Sequence, residues 1–293
     1  MKLKQKLVFG ILILSVAACG RFKNPVPSPT SSDRIVCMAK QYTEIIYALG
    51  AEDGLVAVDL TSTYPPAATQ LPSVGYHRAL SIEAILAVKP TLVIHDNNIG
   101  PEAVVRQIND LKIKNKVFET QGKDIETTQA LIREMGDYFQ KQEQANLLCE
   151  QLGQDMEAAF ANLKNYSDKP KPKVLIIHFG QAMNTYLTIT QAHTGGQMVA
   201  WAGGEVPVAG PKGMIPLSPE VVSSCDPDVI LMTNFGYDRL ESLEKIKELP
   251  GVSTTTAAKN NRIYRIEEHD LVYVGPRTGK NVLALQKLIH ETH

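Results

Sequence analysis

Short apolar blocks alternate along this chain with longer stretches whose apolar positions recur at helical spacing, and the alternation occurs twice. The first half carries Leu55-Val56-Ala57-Val58 and Leu92-Val93-Ile94, the second Val174-Leu175-Ile176-Ile177 and Val229-Ile230-Leu231. Blocks this short, bounded by Gly and Pro, predict buried strands. Leu80-Ser81-Ile82-Glu83 and Leu217-Ser218-Pro219-Glu220 each place a Ser N-cap before an apolar helical stretch, with Glu soon after, where the helix start favours negative charge. Pro90 and Pro227 follow the two serines at the same spacing and end each helix. The stretches from Ile45 to Gly50 and from Met198 to Gly204 are matching helix ends with Gly caps. Each half opens with a strand, predicted over residues 34–38 and 173–177. Strand–helix–strand alternation at this spacing predicts a parallel sheet in both halves.

Between the halves, residues 141–166 are helix-forming apart from Gly153, with Leu148, Leu152, Met156, Ala159, Phe160 and Leu163 on one stripe. As one helix they span ~40 Å, about the width of two small lobes. The expected fold is α/β: two Rossmann-like parallel-sheet lobes, residues 33–140 and 169–293, joined by one long connecting helix within 141–168. Such an arrangement puts a ligand cleft between the lobes. A single rigid helix as connector predicts slight closure, not a wide hinge motion.

The N-terminus has a different pattern. Lys2, Lys4 and Lys6 precede an apolar run from Leu7 to Ala18. That run is shorter than the ~20 residues a bilayer requires, and it reads as the core of a secretory signal over residues 1–18. It ends Val16-Ala17-Ala18-Cys19, a bacterial lipobox, which predicts cleavage before Cys19 and a diacylglycerol on its thiol. Residues 19–32 are rich in Pro, Ser, Thr and Asn and form a tether. The chain is therefore expected to be anchored to a membrane, not to span it, on the periplasmic or cell-surface side. Gly20 is not the Asp that marks inner-membrane retention, which points to the outer membrane in a cell that has one.

A net charge of −1 leaves no electrostatic footprint for nucleic acid. Beyond Cys19 remain Cys37, Cys149 and Cys225, an odd set without zinc spacing, read as buried free thiols. GxSxG, Walker A and HExxH motifs are absent, and Gly195-Gly196 and Gly203-Gly204 lack dinucleotide-loop spacing. The chain reads as a binder and not an enzyme. Residues that stand out on loops facing the cleft are Tyr64-Pro65-Pro66, Val74-Gly75-Tyr76-His77-Arg78, His178 after its strand, and Gly275-Pro276-Arg277.

The run from Thr61 through Tyr64-Pro65-Pro66 to Leu71-Pro72-Ser73-Val74-Gly75-Tyr76-His77-Arg78-Ala79-Leu80-Ser81 resembles the haemin-binding proteins of bacterial haem ABC importers. These are substrate-binding proteins of the helical-backbone class. The likeness continues through Leu86 to Pro90, Gly251-Val252, Asn261-Arg262-Ile263 and Val274-Gly275-Pro276-Arg277, nearly the whole mature chain. Cobalamin-binding relatives share Tyr-Pro-Pro but not the Gly-Tyr-x-Arg segment. The resemblance implies a monomeric protein that captures haem (iron protoporphyrin IX) and passes it to an ABC permease dimer with its ATPase. It implies that Tyr76 ligates the iron through its phenolate, helped by the charge of Arg78. His178 falls where some members carry a second ligand, which leaves room for two haems, although His178-Phe179-Gly180-Gln181 departs from the family's glycine-rich turn. His77 and His193 are rival ligands. Arg78 and Arg277 are candidate propionate partners, and Met183, Tyr186, Met214 and Phe235 candidate porphyrin neighbours. Glu83 and Glu220, one per lobe, are implied to dock on permease arginines. Cobalamin, a ferric siderophore, or haem storage and sensing at the surface remain the alternatives.

Overall fold

The computed structural model describes residues 26–291. The signal segment, Cys19 and residues 19–25 of the tether lie outside the described residues. The rest of the tether is not free: Val26 packs against the core, and Asp33 is buried beneath Thr30, Thr91 and Lys114.

The first lobe runs β1 (Ile35–Cys37), α1 (Lys40–Ala48), β2 (Leu55–Val58), α2 (Ile82–Ala87), β3 (Leu92–Ile94), α3 (Glu102–Asp110), β4 (Lys114–Lys116) and α4 (Ile125–Tyr138). Its sheet has the order β2-β1-β3-β4 and is parallel throughout. β1 and β3 are fully buried, as expected of strands covered by helices on both faces. α5 (Gln142–Asn162) then crosses to the second lobe, and a 3-10 turn extends it to Tyr166.

The second lobe contains β5 (Val174–Gly180), β6 (Thr185–Ile189), α6 (Thr194–Trp201), β7 (Met214–Pro216), α7 (Pro219–Cys225), β8 (Val229–Thr233), α8 (Asn234–Leu240), α9 (Leu243–Lys247), α10 (Thr256–Lys259), β9 (Ile263–Ile266), α11 (Glu268–Leu271) and α12 (Thr278–His290). Its sheet order is β7-β6-β5-β8-β9. Only β5, β8 and β9 run parallel; β6 and β7 are antiparallel additions. The expected uniform parallel sheet is corrected here. The chain does not cross by a helix after β5 but reverses at Gln181–Asn184, where Asn184 takes a left-handed conformation at φ 49°.

The repeated signals fold as their chemistry dictates. The Ser81 hydroxyl accepts the Ala84 amide and the Ser218 hydroxyl the Val221 amide, each capping its helix. Gly50 and Gly203 both turn the chain left-handed, at φ 63° and 82°, after α1 and α6. Cys37, Cys149 and Cys225 are buried free thiols.

α5 passes unbroken through Gly153. Its buried stripe is Ala145, Cys149, Leu152, Met156 and Ala159, and Phe160 is 45% exposed. The expected stripe is thus rotated, because α5 is gripped from two sides, by α4 of the first lobe and α12 of the second. The second contact is very close: a Cβ at Gly279 would lie 2.5 Å from both the carbonyl carbon and Cβ of Asp155. Gly279→Ala must push α12 off α5, and the expected cost is about 1–3 kcal/mol. A lower urea midpoint at unchanged m-value checks it.

Candidate functional site

Where the lobes meet, the start of α1 faces residues 268–277 of the second lobe. The Lys40 ammonium pairs with Glu268, and the Gln41 side-chain amide reaches the carbonyl oxygens of Gly122 and Val274. Glu44 is the centre of a buried cluster. Its Oε2 accepts from His269 Nε2 at 2.7 Å and from the Tyr273 hydroxyl at 2.6 Å, and its Oε1 accepts from Arg277 Nε at 2.9 Å. Burial raises the Glu44 pKa, but His269, Arg277 and Tyr273 outweigh it and hold the carboxyl below its ordinary value. Arg277 also donates to Asp270 at 2.7 Å and lies flat on the Tyr64 ring, 3.4 Å from its centroid.

This cluster contains two residues that stood out in the sequence. Arg277, a candidate propionate partner, bridges the lobes through Glu44. Tyr64 packs on Arg277 and against the His269 ring at 5.6 Å.

Glu268 ties the clasp to the cleft. Its Oε2 lies 3.5 Å from His178 Nδ1, which is also 3.2 Å from the Thr233 hydroxyl. Its charge acts on Tyr76 and His193, and it feels His77 from the opposite lobe. Tyr76, His77 and His178 thus all lie within electrostatic range of Glu268. His178 is inside β5 and not on a loop after it, so a strand fixes it. Burial depresses its pKa against the pull of Glu268, which leaves a neutral imidazole at neutral pH, the form that binds a metal. Nδ1 has the Thr233 hydroxyl and, slightly farther, the Glu268 carboxylate as neighbours; with its hydrogen on Nδ1 the ring keeps a lone pair on Nε2.

Tyr76 behaves differently from expectation in one respect. Burial raises its phenol pKa; Arg78 pulls it down, but Glu268 and Asp59 push it up, and the net shift is upward. In the free protein Tyr76 is a phenol, and its proton must leave when a metal arrives. Arg78 is exposed, and its Nε and Nη2 grip Asn98 Oδ1 at 2.9 and 2.7 Å. Met183 is 63% exposed, whereas the Tyr186 hydroxyl is tied to the Gly236 carbonyl at 3.2 Å. Met214 and Phe235 are half-buried.

His193 is disfavoured as a ligand by its own hydrogen bond. Its Nδ1 accepts the Gly195 amide at 3.0 Å and caps α6, which puts its proton on Nε2. Burial, with His178 and Lys40 nearby, lowers its pKa to about 4. The unfolded ring takes a proton near pH 6.5, so the folded state binds fewer protons between these values. Stability is therefore full above pH 6.5 and falls as pH drops towards 4. His193→Asn keeps a capping oxygen and is expected to flatten this part of the pH–stability curve, measured as urea midpoints.

Glu83 and Glu220 are exposed in the first turns of α2 and α7. A cavity of about 840 Å³ runs along α6 past Lys123, Lys171 and His193 and does not include Tyr76 or His178. The donor atoms, and not the volume, identify the site. Among the described residues no group of three His, Cys, Asp or Glu side chains could hold a metal ion, and no helix is long and apolar enough to cross a membrane.

The sequence profile of the periplasmic binding protein family matches residues 35–269. The periplasmic haem-binding protein RhuT of Roseiflexus sp. RS-1, solved in apo form, superposes with a TM-score of 0.79 at 31% identity, covering 88% of this chain and 98% of that one. A periplasmic haem-binding protein of Pseudomonas aeruginosa gives 0.76 at 26% identity, covering 88% and 92%. The curated vitamin B12-binding protein of Pectobacterium atrosepticum is 28% identical over 177 residues, 59% of this chain and 61% of that protein. The match thus spans about three-fifths of that relative's length.

Proposed function

We propose, since this chain belongs to the periplasmic binding protein family, that its cleft captures haem and delivers it to an ABC importer. The family consists of substrate-binding transport proteins, and the chain falls in its haem, vitamin B12 and siderophore class. What supports haem is a phenol on one lobe and a neutral imidazole with a carboxylate beside it on the other, Tyr76 and His178, both under the charge of Glu268. An anionic oxygen and a neutral nitrogen are both haem ligands, whereas a corrinoid needs neither from the protein. A metal bound by so few side chains must bring most of its own ligands, as a macrocycle does. Arg78 is the cation for a propionate. A haem on each ligand makes two per chain.

Cys19 holds the protein to the membrane through lipid. Glu83 and Glu220 orient it on the permease, one carboxylate per lobe, where exposed charges add more to orientation than to affinity.

The cobalamin reading is favoured by the name of the curated relatives, and a ligand panel separates the two. Ligand at ~100 times its Kd adds about 2.7 kcal/mol to stability. Haemin is expected to raise the unfolding midpoint accordingly, and cobalamin and ferric hydroxamates to leave it unmoved. A rise with cobalamin alone overturns the haem reading.

A further inference from the structure

We infer that His77 is a second iron ligand on the Tyr76 side of the cleft, used for haem that arrives in the ferrous state. The inference rests on the haem reading above.

It starts from a buried carboxylate with an unusual set of partners. The Asp59 side chain, at the end of β2, is fully buried. It accepts from the Thr61 amide at 3.0 Å, the Thr61 hydroxyl, the Ser62 hydroxyl at 2.6 Å and His77 Nδ1 at 3.2 Å. The Thr43 hydroxyl braces Ser62 from α1 at 3.0 Å.

A charged acceptor at Nδ1 fixes the His77 tautomer: the hydrogen is on Nδ1 and the lone pair on Nε2. Among the described residues no hydrogen bond engages His77 Nε2, and that atom is not sealed from solvent. The ring stands 4.6 Å from the Tyr76 ring at 55°, so the two donors are carried side by side on one loop. A carboxylate behind one nitrogen and nothing on the other is the arrangement of a metal-ligating imidazole. It matches His178 with Glu268 across the cleft.

The two donors on this loop suit different oxidation states. The Tyr76 phenolate is a hard anion that favours ferric iron, and its formation costs a proton. Ferrous iron gains less from an anionic oxygen. A neutral imidazole serves it. With ferrous haem, the Nε2 lone pair of His77 would form the iron–nitrogen bond, with no change of oxidation state.

The test is anaerobic titration with ferrous haem, and in parallel with ferric haemin, in a His178→Ala background that removes the opposite imidazole. Adding Tyr76→Phe is expected to cost ferric affinity on the order of 100-fold while ferrous affinity stays within about tenfold. Adding His77→Ala is then expected to cost ferrous affinity at least ~10-fold and to abolish the absorption bands of nitrogen-ligated ferrous haem. Asp59→Asn, which leaves His77 in place but removes the charge that orients it, is expected to weaken ferrous binding ~10–100-fold. Circular dichroism melts confirm that each variant is folded. Ferrous affinity and bands unchanged by His77→Ala overturn the inference while leaving the haem reading intact. An unsubstituted protein, His178 included, that binds haem in neither state overturns both.

Discussion

Tyr76→Phe is expected to cost ferric haemin affinity at least ~100-fold, equivalent to about 2.7 kcal/mol. The substitution keeps the ring that packs beside His77 and removes only the oxygen. Loss of a residue that merely supports a ligand costs ~10–100-fold, so loss of the ligand itself lies at or beyond that range. Because the phenol is held above its ordinary pKa in the free protein, ferric binding must release its proton. Ferric affinity therefore rises with pH across the neutral range, and this dependence disappears in Tyr76→Phe. Equilibrium titration by absorption at several pH values measures both effects.

Glu44→Gln is expected to lower stability by about 3–5 kcal/mol, the cost of removing one partner from a buried ion pair. Three donors converge on this carboxylate from the opposite lobe: His269, Tyr273 and Arg277. Without its charge, the Arg277 guanidinium has only Asp270 to answer it. The sign with pH follows from the depressed Glu44 pKa. The clasp contributes fully above the ordinary carboxylate range and is lost as pH falls through the lower, folded value. Urea unfolding of the native and Glu44→Gln proteins at pH 7 should differ strongly, and the gap should narrow in acid. Equal midpoints at pH 7 would sink the view that this cluster holds the lobes together.

The helix caps, the left-handed glycines, the buried strand blocks and the crossing helix are written locally, within a few residues of where they act. Ser81, Ser218, Gly50 and Gly203 could therefore be read from the chain alone. What stayed hidden depends on distant partners. Lys40 meets Glu268 and Glu44 meets Arg277 across more than 220 residues of sequence, so nothing near either residue announces the clasp. Arg277 could be read as a propionate partner because Glu44, which it meets in space, is remote in the sequence. Asp59 and Glu268, the carboxylates behind His77 and His178, carry no spacing signal for the same reason. The β5–β6 hairpin did have a local signal, Asn184 in a polar turn followed by the alternating Thr185-Tyr186-Leu187-Thr188-Ile189. The strict likeness of the two halves obscured it.

One measurement bears most directly on haem capture through Tyr76: an absorption titration of the chain from residue 26 onward with ferric haemin. A saturating spectrum of bound ferric haem, from which Tyr76→Phe removes the tyrosinate-ligated component and leaves only haem on His178, is the expected result. A titration without saturation, or a spectrum that survives Tyr76→Phe unchanged, would mean that this phenol does not hold the iron.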